Sequence, residues 1–104
     1  MILTQALKDK LKANWLLAES MACKAELRVY DPLSVWQCYL IAMNPQDENE
    51  VACILSTTMG HCIYTLWTIK EINDLYNWEG EKPSIDLEYR PRMASQIFKQ
   101  LNGG

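Results

Sequence analysis

The chain has 104 residues, enough for one domain with a single hydrophobic core, and 49% of them are hydrophobic. Charged residues make up 22%, close to the globular average of about 25%, which excludes a disordered chain. The net charge of -3 and the pI near 5.0 argue against nucleic acid as a partner, because domains that bind phosphate backbones usually have a pI above about 9.

The sequence gives no sign of export or membrane insertion. Its first residues, MILTQALKDKLKAN, lack the apolar segment and cleavage site of a signal peptide, and no run approaches the roughly 18 apolar residues that span a bilayer. We therefore predict a cytoplasmic protein without a membrane partner. The cysteines form no CxxC motif, so we predict that they are reduced and pack as small hydrophobic residues: Cys23, Cys38, Cys53 and Cys62. A disulfide is the alternative, for which their even number is weak evidence.

The first predicted elements are a helix and two strands. In residues 4–18, Thr4 is a good N-cap and large apolar residues recur every four positions, which predicts a helix. Residues 24–30 alternate between apolar and polar, as in a half-buried strand that ends before Pro32. Residues 35–43 are apolar on both faces and rich in aromatic and β-branched side chains, which predicts a central strand.

The next residues predict a hairpin. Residues 44–50, NPQDENE, are polar and contain a proline, so they predict a loop. Residues 51–57 then form the predicted hairpin partner of the central strand, and residues 62–66 form a fourth short strand.

The last predicted elements are two helices and an edge strand. Thr68 and Glu71 have the spacing of a capping box, for a helix that ends near Asn77. Residues 84–89 alternate again, and residues 93–101 are amphipathic with a helical period. The predicted fold is a single α+β domain over residues 1–104: an antiparallel sheet of three to five strands covered by an N-terminal, a middle and a short C-terminal helix.

Several segments together resemble the small bacterial proteins grouped as DUF2958, a domain of unknown function. They are the opening ILTQALKDKLKAN, the acidic segment NPQDENE, the helix entry YTLWTIKEINDL and the segment SIDLEYRP. The chain departs from that pattern in STTMGHC, which is shorter than the glycine-rich stretch of such proteins, and in the segment before SIDLEYRP. The resemblance implies a bacterial, mobile-element accessory protein, with an anti-defence role as one possibility, and transfers no catalytic residue.

Candidate catalytic groups are few. His61 is the only histidine, and Cys62 follows it, but adjacent strand residues point to opposite faces. A pairing of His61 with Cys38 or Cys53 across the sheet stays open. The closest cysteines are nine residues apart, which does not fit the local spacing of a structural zinc site. We predict no catalytic residue, metal or cofactor.

Two acidic residues support an alternative function. Asp86 and Glu88 lie on one face of a predicted strand near Arg90 and Arg92. Alternate acids on a strand can hold a divalent cation, and a nearby basic residue can bind phosphate. A small metal-dependent hydrolase or nuclease is therefore the alternative. The simpler interpretation is a solvated polar face with a surface ion pair of the Asp86–Arg90 type.

Aromatic residues are the most unusual feature of the composition. Four tryptophans and five tyrosines exceed what one small core needs, and both types are favoured at protein interfaces. Trp36 belongs to the predicted core. Trp78, by contrast, lies in a polar segment beside Glu79 and Glu81, and this combination suits a protein contact.

The leading hypothesis is a non-enzymatic accessory protein that binds a protein partner or associates with itself. The residues predicted to contact a partner are Trp78, Glu79, Glu81, Asp47, Glu48 and Glu50. A nucleic-acid-binding accessory protein is the third hypothesis, although the composition does not supply the basic groove that stacking on single strands requires.

Overall fold

Residues 3–58, 60–75 and 79–103, which the computed structural model describes, form three α-helices, one 3₁₀ helix and seven strands. In chain order these are α1 (Gln5–Ala13), the 3₁₀ helix (Trp15–Leu17), β1 (Lys24–Ala25), β2 (Leu27–Tyr30), β3 (Gln37–Asn44), β4 (Asp47–Thr58), β5 (His61–Thr68), α2 (Ile69–Asn73), β6 (Ser84–Ile85), β7 (Arg92–Met93) and α3 (Ala94–Leu101). The predicted α+β class is confirmed. No helix within the described ranges is long and apolar enough to cross a membrane.

The main sheet has five antiparallel strands in the order β5-β4-β3-β2-β6. β3 lies at its centre, as predicted, and its residues from 38 to 43 are buried. β4 is the hairpin partner of β3, also as predicted. A separate two-stranded ribbon joins β1 to β7. The sequence did not predict this ribbon, because residues 90–92 contain a proline between two arginines and indicated a break.

Buried side chains form two clusters, one on each face of the main sheet. The α1 face carries Cys38, Leu40, Val51 and Cys53 and includes Leu11 of α1 and Ile72 of α2. The α3 face carries Tyr39, Ile41, Ala52 and Ile54 and includes Ala94 and Ile97 of α3. This division follows the alternation of side chains along β3 and β4.

The first helix is shorter than predicted because of Asn14. Thr4 caps α1 as expected, and its hydroxyl accepts a hydrogen bond from a backbone amide of the first turn. α1 then ends at Ala13, where the side-chain carboxamide N–H groups of Asn14 donate to the carbonyls of Lys24 and Ile41 at 3.1 and 3.0 Å. One side chain thus joins the end of the helix to β1 and β3.

The predicted loop over residues 44–50 is wrong beyond its first residues. The turn needs only Pro45 and Gln46, because the Asn44 carboxamide oxygen accepts the Gln46 amide and closes it at 2.9 Å. β4 already begins at Asp47 and runs for 12 residues. The first part of β4 is exposed to solvent, and exposed positions are usually polar. Its polar composition therefore reflects exposure and does not distinguish a strand from a loop.

Glu48 joins this exposed part of β4 to α1. Its carboxylate accepts hydrogen bonds from the ammonium groups of Lys12 and of Lys8, the latter at 3.2 Å. Lys12 and Lys8 together hold the pKa of the Glu48 carboxyl below its ordinary value. An acidic residue that was predicted to meet a partner is thus used within the chain.

The contribution of Glu48 to stability should depend on pH. A carboxyl whose pKa is lower in the folded chain stabilises the fold above its unfolded pKa of about 4.3, and that stabilisation is lost as the pH falls through the folded pKa. We expect Glu48→Gln to lower the melting temperature at neutral pH, and this difference from the wild type to shrink as the pH falls below about 4. Lys10→Gln, on the same helix but outside this ion pair, is the control. The prediction would be contradicted if the melting temperatures of Glu48→Gln and the wild type differed by the same amount at neutral and at acidic pH.

Thr68 is the N-cap of α2, as predicted, but only half of the predicted capping box forms, because the Glu71 carboxylate binds the Thr68 hydroxyl and not the Thr68 backbone amide. The Thr68 hydroxyl accepts the Glu71 amide at 3.0 Å and donates to the Glu71 carboxylate at 2.8 Å. α2 ends at Asn73, with Asp74 as its C-cap. The predicted end near Asn77 lies outside the described residues.

β6 is an edge strand, as predicted, but it contains only Ser84 and Ile85. The Asp86 carboxylate accepts the amide of Glu88 at 3.0 Å, which closes a turn and stops the strand. Asp86 and Glu88 therefore do not share a strand face. The short C-terminal helix agrees with its prediction, since Ile97 is buried on the α3 face.

Candidate interaction surface

β5 forms the long open edge of the main sheet. Among the described residues it pairs with β4 alone, whereas the opposite edge, β6, is only two residues long. The eight residues of β5, HCIYTLWT, include no Asp, Glu, Lys, Arg, Pro or Gly. Proteins normally protect a long edge with charges, proline, a bulge or a covering segment, because its free backbone groups can pair with another strand.

The direction of the free backbone groups follows from one hydrogen bond. The Cys62 amide donates to the Asn102 side-chain oxygen at 2.8 Å, so this amide points away from β4. Alternate residues of a strand direct their N–H and C=O groups to the same side, and β4 and β5 pair without a register shift over residues 63–68. Tyr64 and Leu66 therefore direct their backbone groups to the open edge.

Apolar side chains flank this edge on both faces of the sheet. Tyr64 lies opposite Ile54 and therefore on the α3 face; Leu66, on the same face, is 52% exposed. Ile63 lies opposite Leu55 on the α1 face and is 45% exposed. The edge thus offers hydrogen-bonding groups in its plane and apolar surface above and below it.

Two tryptophans pack behind the edge on the α1 face. Trp67 of β5 and Trp36 stand edge to face with their ring centroids 6.2 Å apart, and both are half-buried. The Trp67 indole N–H donates to the Glu71 carboxylate at 3.0 Å, which fixes the ring against α2. Trp36 packs against the core as predicted, although part of it remains exposed.

None of the residues predicted to contact a partner belongs to β5. Trp78 lies outside the described residues, and Glu79 and Glu81 are exposed beyond α2. Asp47, at the exposed start of β4, accepts the amide of Asn49 at 3.0 Å. These positions keep their predicted role only as a hypothesis. The absence of charged residues in β5 was visible in the sequence, but the position of this strand at the edge of the sheet was not.

The other predicted acids also have partners within the chain. Glu48 binds Lys8 and Lys12. Glu50, which is half-buried, accepts a hydrogen bond from the Asn44 carboxamide at 3.0 Å. Glu50 therefore stabilises the β3–β4 hairpin, and Glu48 stabilises its contact with α1.

The alternative metal site receives no support from the geometry. The Asp86 carboxylate accepts a hydrogen bond from the Arg28 guanidinium at 2.9 Å, so its partner is Arg28 and not the predicted Arg90. Glu88 is exposed in the turn that follows β6. The described residues contain no group of three or more His, Cys, Asp or Glu side chains placed to hold a metal ion.

A cleft of about 340 Å³ lies on the α3 face beside Arg28. Its polar groups bind one another: the Gln37 carboxamide oxygen accepts from both Arg28 and the Tyr39 hydroxyl, each at 3.0 Å. The Ser56 hydroxyl, another lining group, donates to the carbonyl of His61 at 2.8 Å. These contacts make the cleft a structural polar network rather than a set of groups aimed at a ligand.

The four cysteines are buried free thiols. A hydrogen bond with Cys53, together with burial, raises the pKa of the Cys38 thiol well above its ordinary value. Burial likewise raises the pKa of the Cys62 thiol, and the hydrogen bond from Asn102 offsets this only in part. A protonated, buried thiol is a poor nucleophile. His61 is exposed while Cys38 and Cys53 are fully buried, which argues against a pairing of His61 with either of these thiols.

A scan against protein-family models finds no match to this chain, and neither do searches of curated proteins and of solved structures. The resemblance to the DUF2958 proteins therefore stays a prediction. The open edge of β5 is the feature from which function can be inferred.

Proposed function

We propose that this protein catalyses no reaction and acts by binding a protein partner along the edge of β5. One observation carries the proposal: an eight-residue edge strand without a charged residue, with two exposed apolar side chains. Strand addition at a sheet edge is a common form of peptide recognition, in which main-chain hydrogen bonds supply affinity and alternate side chains supply specificity.

The chemistry of the edge defines the partner. A strand placed beside β5 receives hydrogen bonds from the Tyr64 and Leu66 amides and donates to their carbonyls. The Leu66 carbonyl already accepts the Thr65 hydroxyl at 3.2 Å, and its second lone pair serves the added strand. Its side chains are expected to be apolar on both faces, because they then cover Ile63 and Leu66 and remove apolar surface from water. The expected partner is an extended, uncharged, apolar segment.

The same proposal includes the cellular setting. Free buried thiols are typical of reducing compartments, which supports our proposal of a cytoplasmic location. The mobile-element setting depends on the DUF2958 resemblance alone.

Two matched variants test the proposal. Leu66→Lys places a charge on the open edge, and Leu87→Lys places the same charge on a leucine that is 92% exposed in the turn after β6, at the other edge of the sheet. Each variant is immobilised and tested for the protein that it retains, which can be a different protein or a second copy of this chain. We expect the wild type and Leu87→Lys to retain the same protein and Leu66→Lys to lose it. Equal retention by all three, or retention by none, would overturn the proposal.

A further inference from the structure

We infer that the strand bound at this edge is β5 of a second copy of the chain, antiparallel to the first, with Thr65 on the two-fold axis. This inference rests on the proposed function and names its partner. The two five-stranded sheets would join into one continuous sheet of ten strands. Such an interface is self-complementary, as a two-fold dimer requires.

The backbone allows this register. Tyr64 and Leu66 direct their N–H and C=O groups to the open edge, so each must face an outward-directed residue of the second strand. With Thr65 opposite Thr65 of the second copy, Tyr64 faces Leu66 of that copy and Leu66 faces Tyr64. Each of these pairs exchanges two hydrogen bonds, and four backbone hydrogen bonds result.

The side chains favour the same register over its neighbours. Rotation about an axis perpendicular to the sheet keeps each face on its own side, so Tyr64 meets Leu66 of the second copy on the α3 face. Ile63 meets Trp67 of that copy on the α1 face, and Thr65 meets its equivalent. Pairs of aromatic with aliphatic residues and of threonine with threonine are stabilising across strands.

The two neighbouring registers lack this match. Centring the pair on Tyr64 places Trp67 opposite His61 of the second copy. Centring it on Leu66 places Trp67 opposite Thr65 and Tyr64 opposite Thr68. Only the Thr65 register gives each aromatic residue within the open part of β5 an apolar partner.

The open edge of β5 ends where the pairing in the Thr65 register ends. At one end the Cys62 amide is already bound by Asn102 of the α3 C-terminus. At the other end Thr68 is the N-cap of α2, where the chain leaves the sheet. In the Thr65 register these two positions face each other, so the ladder closes where the free backbone groups end. β5 brings no charged side chain to the seam, although each copy has a net charge of -3.

Cysteine cross-linking tests the register directly. Thr65 and its equivalent would form a non-hydrogen-bonded pair with a Cα separation of about 4.5 Å, within the range for a disulfide. We expect purified Thr65→Cys to form a covalent dimer on mild oxidation, with the mass shifting from 12.0 kDa to twice that value. The native cysteines are buried and should add little background.

Ile63→Cys is the control for random collision. Its side chain is the more exposed of the two, but in this register the two copies of residue 63 lie about 13 Å apart along the strands. We expect it to form no covalent dimer and to run as a single chain on a denaturing, non-reducing gel. Cross-linking of Ile63→Cys as fast as Thr65→Cys would overturn the inferred register.

Sedimentation of proteins without added cysteines provides the second measurement. We expect the wild type and Leu87→Lys to form dimers, and Leu66→Lys to raise the dimer dissociation constant about tenfold or more, because it disrupts two symmetric Tyr64–Leu66 contacts. A monomeric wild type would overturn the inference. If Leu66→Lys then still abolished binding to a different protein, the proposed function would stand with another partner. If Leu66→Lys changed neither the dimer dissociation constant nor the binding of another protein, both the inferred dimer and the proposed function would be contradicted.

Discussion

Replacing Ile54 by alanine is expected to lower the free energy of unfolding by about 3 kcal/mol, within the range measured for removal of a buried isoleucine side chain. Ile54 is fully buried in β4, and its cross-strand neighbours are Tyr39 and Tyr64. The substitution leaves a cavity between two tyrosines that belong to neighbouring strands. It therefore weakens the α3 face and the support of β5 together.

Chemical denaturation measures this effect, with Ile54→Val as the matched control. Removal of one methylene should cost about 1 kcal/mol, because valine keeps the β-branched shape. A domain of this size has a total stability of about 5–15 kcal/mol, so the alanine variant should still fold. A loss below about 1 kcal/mol for Ile54→Ala would show that the interior of the sheet is not packed as described.

The second large effect is expected at Arg28. Its guanidinium donates to Asp86 at 2.9 Å and to Gln37 at 3.0 Å, and it stacks 4.6 Å from the centre of the Tyr30 ring. These contacts join β2 to β3 and to the turn after β6. Arg28 and Asp86 are each only 25% exposed, so loss of the cation leaves a partly buried carboxylate without its partner. We expect Arg28→Met to cost about 2 kcal/mol.

A double-mutant cycle separates the ion pair from the packing of the arginine side chain. The coupling energy between Arg28→Met and Asp86→Asn should be about 1 kcal/mol. Lys70→Met is the control, because Lys70 and Asp74 form a pair that is largely exposed on α2, and we expect a change within about 0.5 kcal/mol. Equal effects of the Arg28 and Lys70 variants would contradict a structural role for the Arg28 network.

The elements that the sequence predicted best are those specified by local chemistry. The Thr4 cap of α1, the Thr68 cap of α2 and the amphipathic α3 each depend on residues a few positions apart. The central position of β3 was also visible, because a strand buried on both faces has no polar alternation. These features are set by short-range hydrogen bonds and by hydrophobic periodicity.

The features that escaped prediction depend on residues far apart in the chain. Asn14 ends α1 by bonding Ile41, and β1 pairs with β7 at the other end of the sequence. Glu48 is held by Lys8 and Lys12 on a helix some forty residues earlier. No local pattern records such contacts, and an exposed polar strand resembles a loop by composition.

The candidate site was missed for the same reason. β3 and β5 are both apolar and nearly free of charge, yet one lies at the centre of the sheet and the other at its edge. Strand order decides which of the two has free backbone groups, and strand order is a property of the whole fold. The acidic residues that the sequence favoured are mostly bound to neighbours within the chain.

Residue-resolved amide hydrogen exchange at two protein concentrations tests the central claim most directly. We predict that Ile63, Thr65 and Trp67, whose amides point to β4, exchange slowly at both concentrations. Tyr64 and Leu66 should exchange rapidly in dilute solution and slow down as a second copy covers them. Slow exchange of Tyr64 and Leu66 at a concentration where sedimentation shows a monomer, or rapid exchange where it shows a dimer, would contradict an open edge that pairs with itself.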